Sequence, residues 1–359
     1  MGSEAKPPRV VTIRDVAISA GVSPATASRA LHHDTRITPA TTAKVESAAV
    51  ALDYRPDVRA RQIRLVDTRL IGLVTHSGQD HHNSLANAIR EAARANGYDL
   101  LPAPATMPYL EIGCSDMLIS KRVRGLILVD PRAAETLLQE ISERLPTVVI
   151  GAPHPGLPGV DQVYSSNSEG FDQACAALRE YRHRRLLALN GPPGASASKR
   201  LEQISVAAQR YGLDLTVVSA GDSESAGSDA VNQALASGLL GPPGGASCVV
   251  AYNDQCGLGA LIAMLRKGLR VPEDISLIGV DGSERAASSG IELATVDKQL
   301  DRMAAVAVEL LVERMGQASD VKTRRKGRLV GVKSQLCLRQ SLGSSPAWAV
   351  AGGVLRDTA

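Results

Sequence analysis

Aromatic residues are scarce in this chain of 359 residues, which holds one Trp, seven Tyr and one Phe. Leu, Val, Ile and Ala must therefore fill its cores, and the composition argues against a site built on several stacking rings. Cysteine is equally sparse. Cys114, Cys175, Cys248, Cys256 and Cys337 are odd in number, scattered and without a CxxC pair, which argues against zinc ribbons and disulfide frameworks and for small buried hydrophobes. No apolar run approaches the roughly 18 residues of a membrane helix. The opening MGSEAKPPRVV lacks the apolar stretch of a signal peptide, so a cytoplasmic protein without a membrane span is expected.

What is present is enough apolar material, 44% of residues, for two or three soluble domains. The net charge of +3 is unevenly spread. Residues 1–69 carry 11 Lys and Arg against 7 Asp and Glu, and the other 290 carry 29 against 30. Positive charge thus gathers in a short N-terminal segment of the kind that meets phosphates.

That segment contains TIRDVAISAGVSPATASRAL, residues 12–31. Thr12 can cap a helix whose inward positions are Val16, Ala17 and Ala20, and Gly21 ends it because the turn needs a positive φ. Ser23 and Pro24 then form a second cap-plus-proline start after a very short turn, which is helix-turn-helix spacing. On this second helix Ala27, Ala30 and Leu31 share one face. Ala25 and Arg29 point the opposite way, flanked by Thr26 and Ser28. Such a stripe fits a helix that reads the major groove, although an ordinary helical hairpin with a solvated face has the same pattern. Thr38 and Pro39 start a third helix with Val45, Ala48, Ala49 and Leu52 at helical spacing, able to cover the first two. Residues 57–64, DVRARQIR, have too little apolar surface to fold alone and could become helical on DNA.

The head motif, the ALDYRP that closes the third helix and DVRARQIR together resemble the head and hinge of the LacI/GalR family of bacterial transcription regulators, and the similarity runs from residue 12 to about 340. The resemblance implies a homodimer reading the two halves of a palindromic operator. Pro24, Ala25 and Arg29 would face bases, while Thr12, Ser23, Thr26, Ser28 and Tyr54 would touch phosphates. Arg55 and Ala60 belong to the same DNA-facing segment. Ile63 takes the place of the apolar wedge, usually Leu, that hinge helices push into the minor groove. Two positions depart from the family's pattern: Asp57 stands where an Asn is common and would be repelled by phosphate, and β-branched Ile63 is stiffer than Leu.

From residue 70 onward, short apolar runs alternate with helical stretches, at LIGLVT, 84–96, YDLLPA, 108–121, GLILVD, 133–144 and TVVIG. A second series extends from RLLALN to ISLIGVDG, and 293–317 returns as a strand and long helix. Alternation of this kind implies parallel sheets, and the return implies chain crossings between two lobes. The expected fold is therefore a small all-α helix-turn-helix head on an α/β body of two doubly wound parallel-sheet subdomains, which by resemblance are periplasmic-binding-protein-like. The boundaries are 1–56 for the head, 57–69 for the hinge, 70–340 for the effector-binding and dimerisation domain and 341–359 for a flexible tail without leucine heptads.

Ligands in such sheets sit beyond the carboxyl ends of the strands. The polar residues placed there are His76 and Ser77, Asp130, Asn190, Asn253 with Asp254, and Asp281. Asn253, Asp281 and Arg200 match the family's effector-contacting positions, with Gln299 a weaker match. The Arg200 register is blurred by Gln203, where a Gly is usual. Each has a plainer reading, Asn253 or Asp281 as a turn cap and Arg200 as a partner of Glu202. His81 and His82 in QDHHNS have no carboxylate or cysteine at ligand spacing and read as a solvated loop at the cleft mouth, so no metal and no cofactor are expected. GPPGAS and GPPGGAS lack the ending of a phosphate loop, CGLGAL reads as a helix start, and KTRRKGR reads as a solvent-facing hairpin.

The reading is a DNA-binding regulator, most simply a repressor, controlled by a small effector such as a sugar, sugar derivative or nucleobase-like molecule. The alternatives are a solute-binding protein and a constitutive or protein-regulated DNA binder. No nucleophile–base pair or paired carboxylates support an enzyme.

Overall fold

The computed structural model describes residues 13–31, 37–52, 68–76, 80–105, 110–157, 159–288, 290–317 and 326–351. The chain divides into two compact units, residues 1–68 and 69–359.

The first unit contains α1 (Ile13–Ala20), α2 (Pro24–Ala30) and α3 (Pro39–Ala51). Gly21, at φ +66, ends α1. The Ser23 and Thr38 hydroxyls accept from the amides of Thr26 and Thr41, so each cap satisfies a backbone donor that the first helical turn leaves unpaired. Val16, Ala17, Ala20, Ala27, Ala30, Val45, Ala48 and Ala49 form the core. Its alanine content lets three short helices pack closely.

The second unit is two lobes, each built on a six-stranded sheet. Lobe 1 holds β1 (Leu70–His76), β2 (Asp99–Ala105), β3 (Gly125–Val129), β4 (Thr147–Ile150) and β5 (Asp161–Ser166), with β11 (Leu329–Lys333) on the edge in the order β11-β5-β4-β3-β1-β2, all parallel. Its helices are α4 (Asp80–Ala95), α5 (Leu110–Ser120) and α6 (Glu135–Arg144). Lobe 2 holds β6 (Arg185–Asn190), β7 (Asp214–Ser219), β8 (Cys248–Val250), β9 (Ser276–Asp281) and β10 (Ala294–Asp297), in the order β12-β10-β9-β8-β6-β7, where β12 (Gln335–Cys337) is the one antiparallel strand. Its helices are α7 (Ser168–Glu180), α8 (Ala195–Arg210), α9 (Glu224–Ala236) and α10 (Asp254–Arg266).

The expected crossings are present. The chain passes from β5 in lobe 1 to α7, whose Phe171, Ala174 and Leu178 enter the lobe 2 core. It returns through α11 (Leu300–Gln317), whose Met303, Ala307, Val308 and Leu311 pack in lobe 1 with Ile71, Ile89 and Val148. It crosses once more between β11 and β12. Helices α9 and α10 touch backbone to backbone. A Cβ at Gly227 would lie 2.0 Å from the Cys256 carbonyl oxygen and one at Gly259 would lie 1.8 Å from that of Glu224, so CGLGAL is the packing start of α10, as its sequence suggests.

Two expectations need correction. The stretch QDHHNS is not a loop from Asp80 onward but the first turn of α4, with His81 and His82 buried. His82, Leu85, Ile89 and Ala93 share one helical face, so the histidines extend the inward stripe. Nor is the stretch after 341 a tail at its start. Ser341 and Leu342 are buried, and the Ser341 hydroxyl donates to the Leu277 carbonyl and accepts from the Ala294 amide, stitching β9 to β10. A short helix, α12 (Ala347–Ala351), follows. All five cysteines are unpaired, and burial pushes the thiols of Cys175 and Cys256 up to about 12 and about 11, as inert core residues require.

Candidate DNA-reading surface and ligand cleft

On the head, Ser23, Pro24, Ala25 and Arg29 are exposed, and Thr26 and Ser28 are half-buried beside the inward Ala27 and Ala30. The Thr26 hydroxyl lies 2.9 Å from that of Ser23, and Arg29 stands alone as the long cationic side chain of the exposed face of α2. Thr12, Tyr54, Arg55, Asp57, Ala60 and Ile63 lie outside the described residues.

In the body, a cavity of about 870 Å³ opens between the lobes, at the carboxyl ends of both sheets. From lobe 1 it is lined by His81, His82 and Asp130, and from lobe 2 by Arg200, Tyr252 and Asn253, with Lys298 from the β10–α11 crossing. Arg200 on α8 donates through Nη1 to the Tyr252 carbonyl (2.5 Å) and stacks over the Tyr252 ring at 4.3 Å. Its Nη2 reaches Asp281 at 3.4 Å. Asp281, closing β9 at φ +125, is the hub. Its carboxylate meets Lys298 at 2.6 Å and lies 3.5 Å from His81, so a buried lobe 2 acid abuts a lobe 1 imidazole. A φ that side chains rarely adopt persists here because these partners fix it.

Asn253 works partly as the cap that its position after β8 suggests. Its Oδ1 accepts from the Cys256 amide at 2.7 Å and its Nδ2 donates to the Asp222 carbonyl at 3.0 Å, yet it also lines the cavity. Arg200 is not paired to Glu202, which binds Lys199 instead.

Two candidates are displaced from the cleft. His76 turns into lobe 1, its Nδ1 3.2 Å from the Ala105 carbonyl and its Nε2 3.0 Å from Glu111, which raises the imidazole above its ordinary value. Gln299, at φ +60, folds back so that its amide and its Nε2 both donate to the Asp297 carboxylate at 2.7 Å. The neighbouring Lys298 faces the cavity in its place. No spacing rule distinguishes these adjacent residues, because the choice is made by the turn at Asp297. The missed His81 and His82 were legible in the inward stripe of α4.

Electrostatics follow from this crowding. Burial would raise the Asp281 carboxyl, but Lys298, His81 and Arg200 outweigh it and hold it down to about 2. Burial likewise opposes ionisation of Asp130, which His81 and His82 nevertheless keep well below the usual carboxylate range. The His81 imidazole is pushed down by burial against the pull of both acids. Asp254 goes the other way. Buried, and beside the Asp281 charge, it is pushed up to about 7 despite accepting from Thr295 Oγ1 (2.6 Å) and the Ser283 amide (2.7 Å). A raised carboxyl binds its proton more tightly in the folded chain, so its share of stability falls as pH rises from about 4 to about 7, by up to roughly 1.4 kcal/mol per pH unit. Asp254→Asn should remove that slope. Denaturant midpoints at pH 5 and pH 8 should therefore converge in the variant relative to the wild type, and equal slopes in the two proteins would refute the assignment.

A three-helix head with an exposed reading stripe and a two-lobed body around a charged cleft define a helix-turn-helix regulator with a periplasmic-binding-protein-like body. Residues 12–57 match the model for bacterial regulatory proteins of the lacI family, and residues 175–342 match that for the periplasmic binding protein-like domain. The ribose operon repressor of Escherichia coli (strain K12) is 31% identical over 318 residues, covering 86% of this chain and 94% of that repressor. The lac repressor dimer bound to operator and the anti-inducer ONPF superposes with a TM-score of 0.75 at 23% identity, over 94% of this chain and all of that one. The transcriptional regulator CelR–cellobiose complex superposes with a TM-score of 0.65 at 25% identity, over 92% and 100%. The chain belongs to the LacI family of bacterial transcription regulators.

Proposed function

We propose that this protein is a dimeric operator-binding transcription regulator, acting as a repressor, whose grip on palindromic DNA is set by a small molecule in the cleft. The observation that carries the reading is the approach of His81 of lobe 1, which lines the cavity, to Asp281 of lobe 2, buried 3.5 Å behind it. A ligand whose hydroxyls or carboxylate compete for Asp281, Arg200 and Lys298 changes how the lobes are held, which is the differential contact that any allosteric effector needs. Pro24, Ala25 and Arg29 read bases, and Ser23, Thr26 and Ser28 position the head on phosphates, together with Thr12, Tyr54 and Arg55. Ala60 and Ile63 act in the minor groove. Asn253 and Asp130 complete the effector set.

The domain plan is a head of 1–56, a hinge of 57–69 and a body from 70 that extends at least to Leu342. The relatives regulate transcription, and the absence of catalytic chemistry and a cytoplasmic location belong to this same reading. Among the described residues no helix is long and apolar enough to cross a membrane.

The Tyr252 face is already covered by Arg200, which favours an effector held by charged hydrogen bonds over one held by ring stacking. The DNA half of the proposal is tested by selecting palindromes from a random library and titrating the winner by anisotropy. Affinity should fall at least about tenfold between 50 and 200 mM salt, as phosphate neutralisation requires, and failure to enrich any palindrome would sink it.

A further inference from the structure

His81 and His82 come from adjacent positions on α4, Asp130 follows β3, and the three side chains meet at one corner of the cleft. The His82 Nε2 is 3.1 Å and the His81 Nε2 3.7 Å from the same oxygen, Asp130 Oδ2, and one ligand atom from each residue falls within 4.8 Å of the others. The His82 nitrogen is within hydrogen-bond distance of that oxygen and the His81 nitrogen approaches it without bonding, a convergence that makes a coordination face. Ligands at 2.0–2.1 Å from a tetrahedral zinc ion stand about 3.3 Å apart, a value the two distances bracket.

The surroundings fit the same use. His81 and His82 are nine-tenths or more buried with ring centroids 4.1 Å apart, and among the described residues the other His82 ring nitrogen has no hydrogen-bond partner, which leaves Asp130 as that ring's hydrogen-bond anchor. The opposite edge of the His81 ring, Nδ1, faces Asp281, the carboxylate–histidine arrangement that orients metal-binding imidazoles. The charges of Lys298 and Arg200 are taken up by Asp281 on that far edge, away from the three converging atoms. His76 packs near His82, ring centroids 6.0 Å apart, but both its nitrogens are engaged, so it supplies no fourth ligand. The Asp130 side chain is 36% exposed and borders the cavity, which leaves the fourth position open to the cleft.

We propose that His81, His82 and Asp130 form a binding site for a zinc-class divalent transition metal at the cleft wall of lobe 1, with an open coordination position facing the cavity. Two nitrogens and one carboxylate suit zinc and its borderline neighbours and disfavour magnesium and calcium. The site stands on its own geometry, independent of whether the cleft controls operator binding.

The test uses the full-length protein stripped with chelator and dialysed. Zinc chloride is titrated by calorimetry, and retained metal is counted by elemental analysis. The expected result is a single zinc per chain. Affinity should fall at least about tenfold in His82→Ala and in Asp130→Asn and be unchanged in His154→Ala, the cleft imidazole outside the cluster. Cobalt(II) bound to the wild type should show the strong visible bands of a low-coordinate, histidine-ligated ion, a readout that survives if a variant fails to fold. No retained metal at millimolar zinc, wild-type affinity in both cluster variants, or only the weak bands of octahedral cobalt would each overturn the site.

Discussion

Arg29→Ala is expected to strip the protein of sequence discrimination while leaving its head folded. Pro24 and Ala25 can offer a base only apolar contact, so on the exposed face of α2 the guanidinium is the one group able to make a bidentate hydrogen bond, most naturally to a guanine. Such a pair discriminates by about 1–3 kcal/mol, and a dimer uses it twice. Arg29 is exposed and the head core is made by Val16, Ala27, Val45 and their neighbours, so removing the side chain opens no cavity. Competition of a selected operator against a scrambled duplex, read by anisotropy, should show the specificity ratio falling at least about tenfold with non-specific affinity nearly intact. An unchanged ratio would mean that α2 does not lie in the major groove.

Asp281→Ala should be among the most damaging single changes in the body. The carboxylate it removes is buried, neutralises Lys298 and Arg200, themselves nearly buried, and abuts His81 of lobe 1. Leaving such charges unpaired costs about 3–5 kcal/mol. Because the Asp281 carboxyl is held down to about 2, its contribution is fully present above about pH 4 and disappears as pH falls toward 2. The stability gap between wild type and variant, measured by denaturant unfolding, should therefore be wide at pH 7 and narrow below pH 4. A gap independent of pH would show that lost packing, not lost charge, is responsible. Asp281→Asn keeps the shape but also leaves Lys298 and Arg200 unpaired, so it should show most of the same stability loss at pH 7, while its folded fraction should bind operator and lose its response to any cleft ligand.

The architecture was legible because its signals are local and redundant. Two Ser/Thr-Pro helix starts, the glycine turn and the inward alanines define the head, and the alternation of apolar runs with helices defines the lobes. The places of Asn253 and Asp281 at or just after the end of a strand were readable for the same reason, and Arg200 was reached only through the family resemblance; of the three, Arg200 and Asn253 line the cavity. What was lost depended on tertiary partners. Whether His76 or His81 faces the cleft is decided by Glu111, which captures the former from another helix. Lys298 replaces Gln299 because Asp297 draws in both the amide and the side chain of Gln299. Asp130 joins the two histidines only because β3 lies beside β1 in the sheet, a pairing that no sequence spacing announces.

The scarcity of aromatic residues acquires a concrete meaning in the cleft. Among the described residues Tyr164 and Tyr252 are the Phe, Tyr or Trp side chains that line it, and Arg200 occupies the face of the second. In the proposed function recognition falls to charged groups that already bind one another, so an effector would have to break an existing network in order to enter. That competition is the proposed link between occupancy and lobe geometry.

The most direct test couples the two halves of the molecule. Sugars, sugar derivatives and nucleobases are screened for a rise in the melting temperature of the full-length protein, and each hit is added to the operator titration. At least one ligand should shift operator affinity by about fivefold or more in either direction, and both its stabilising effect and that shift should vanish in Asp281→Asn. A ligand that stabilises the wild type through the cleft, loses its grip in Asp281→Asn and still leaves operator affinity untouched would contradict the account.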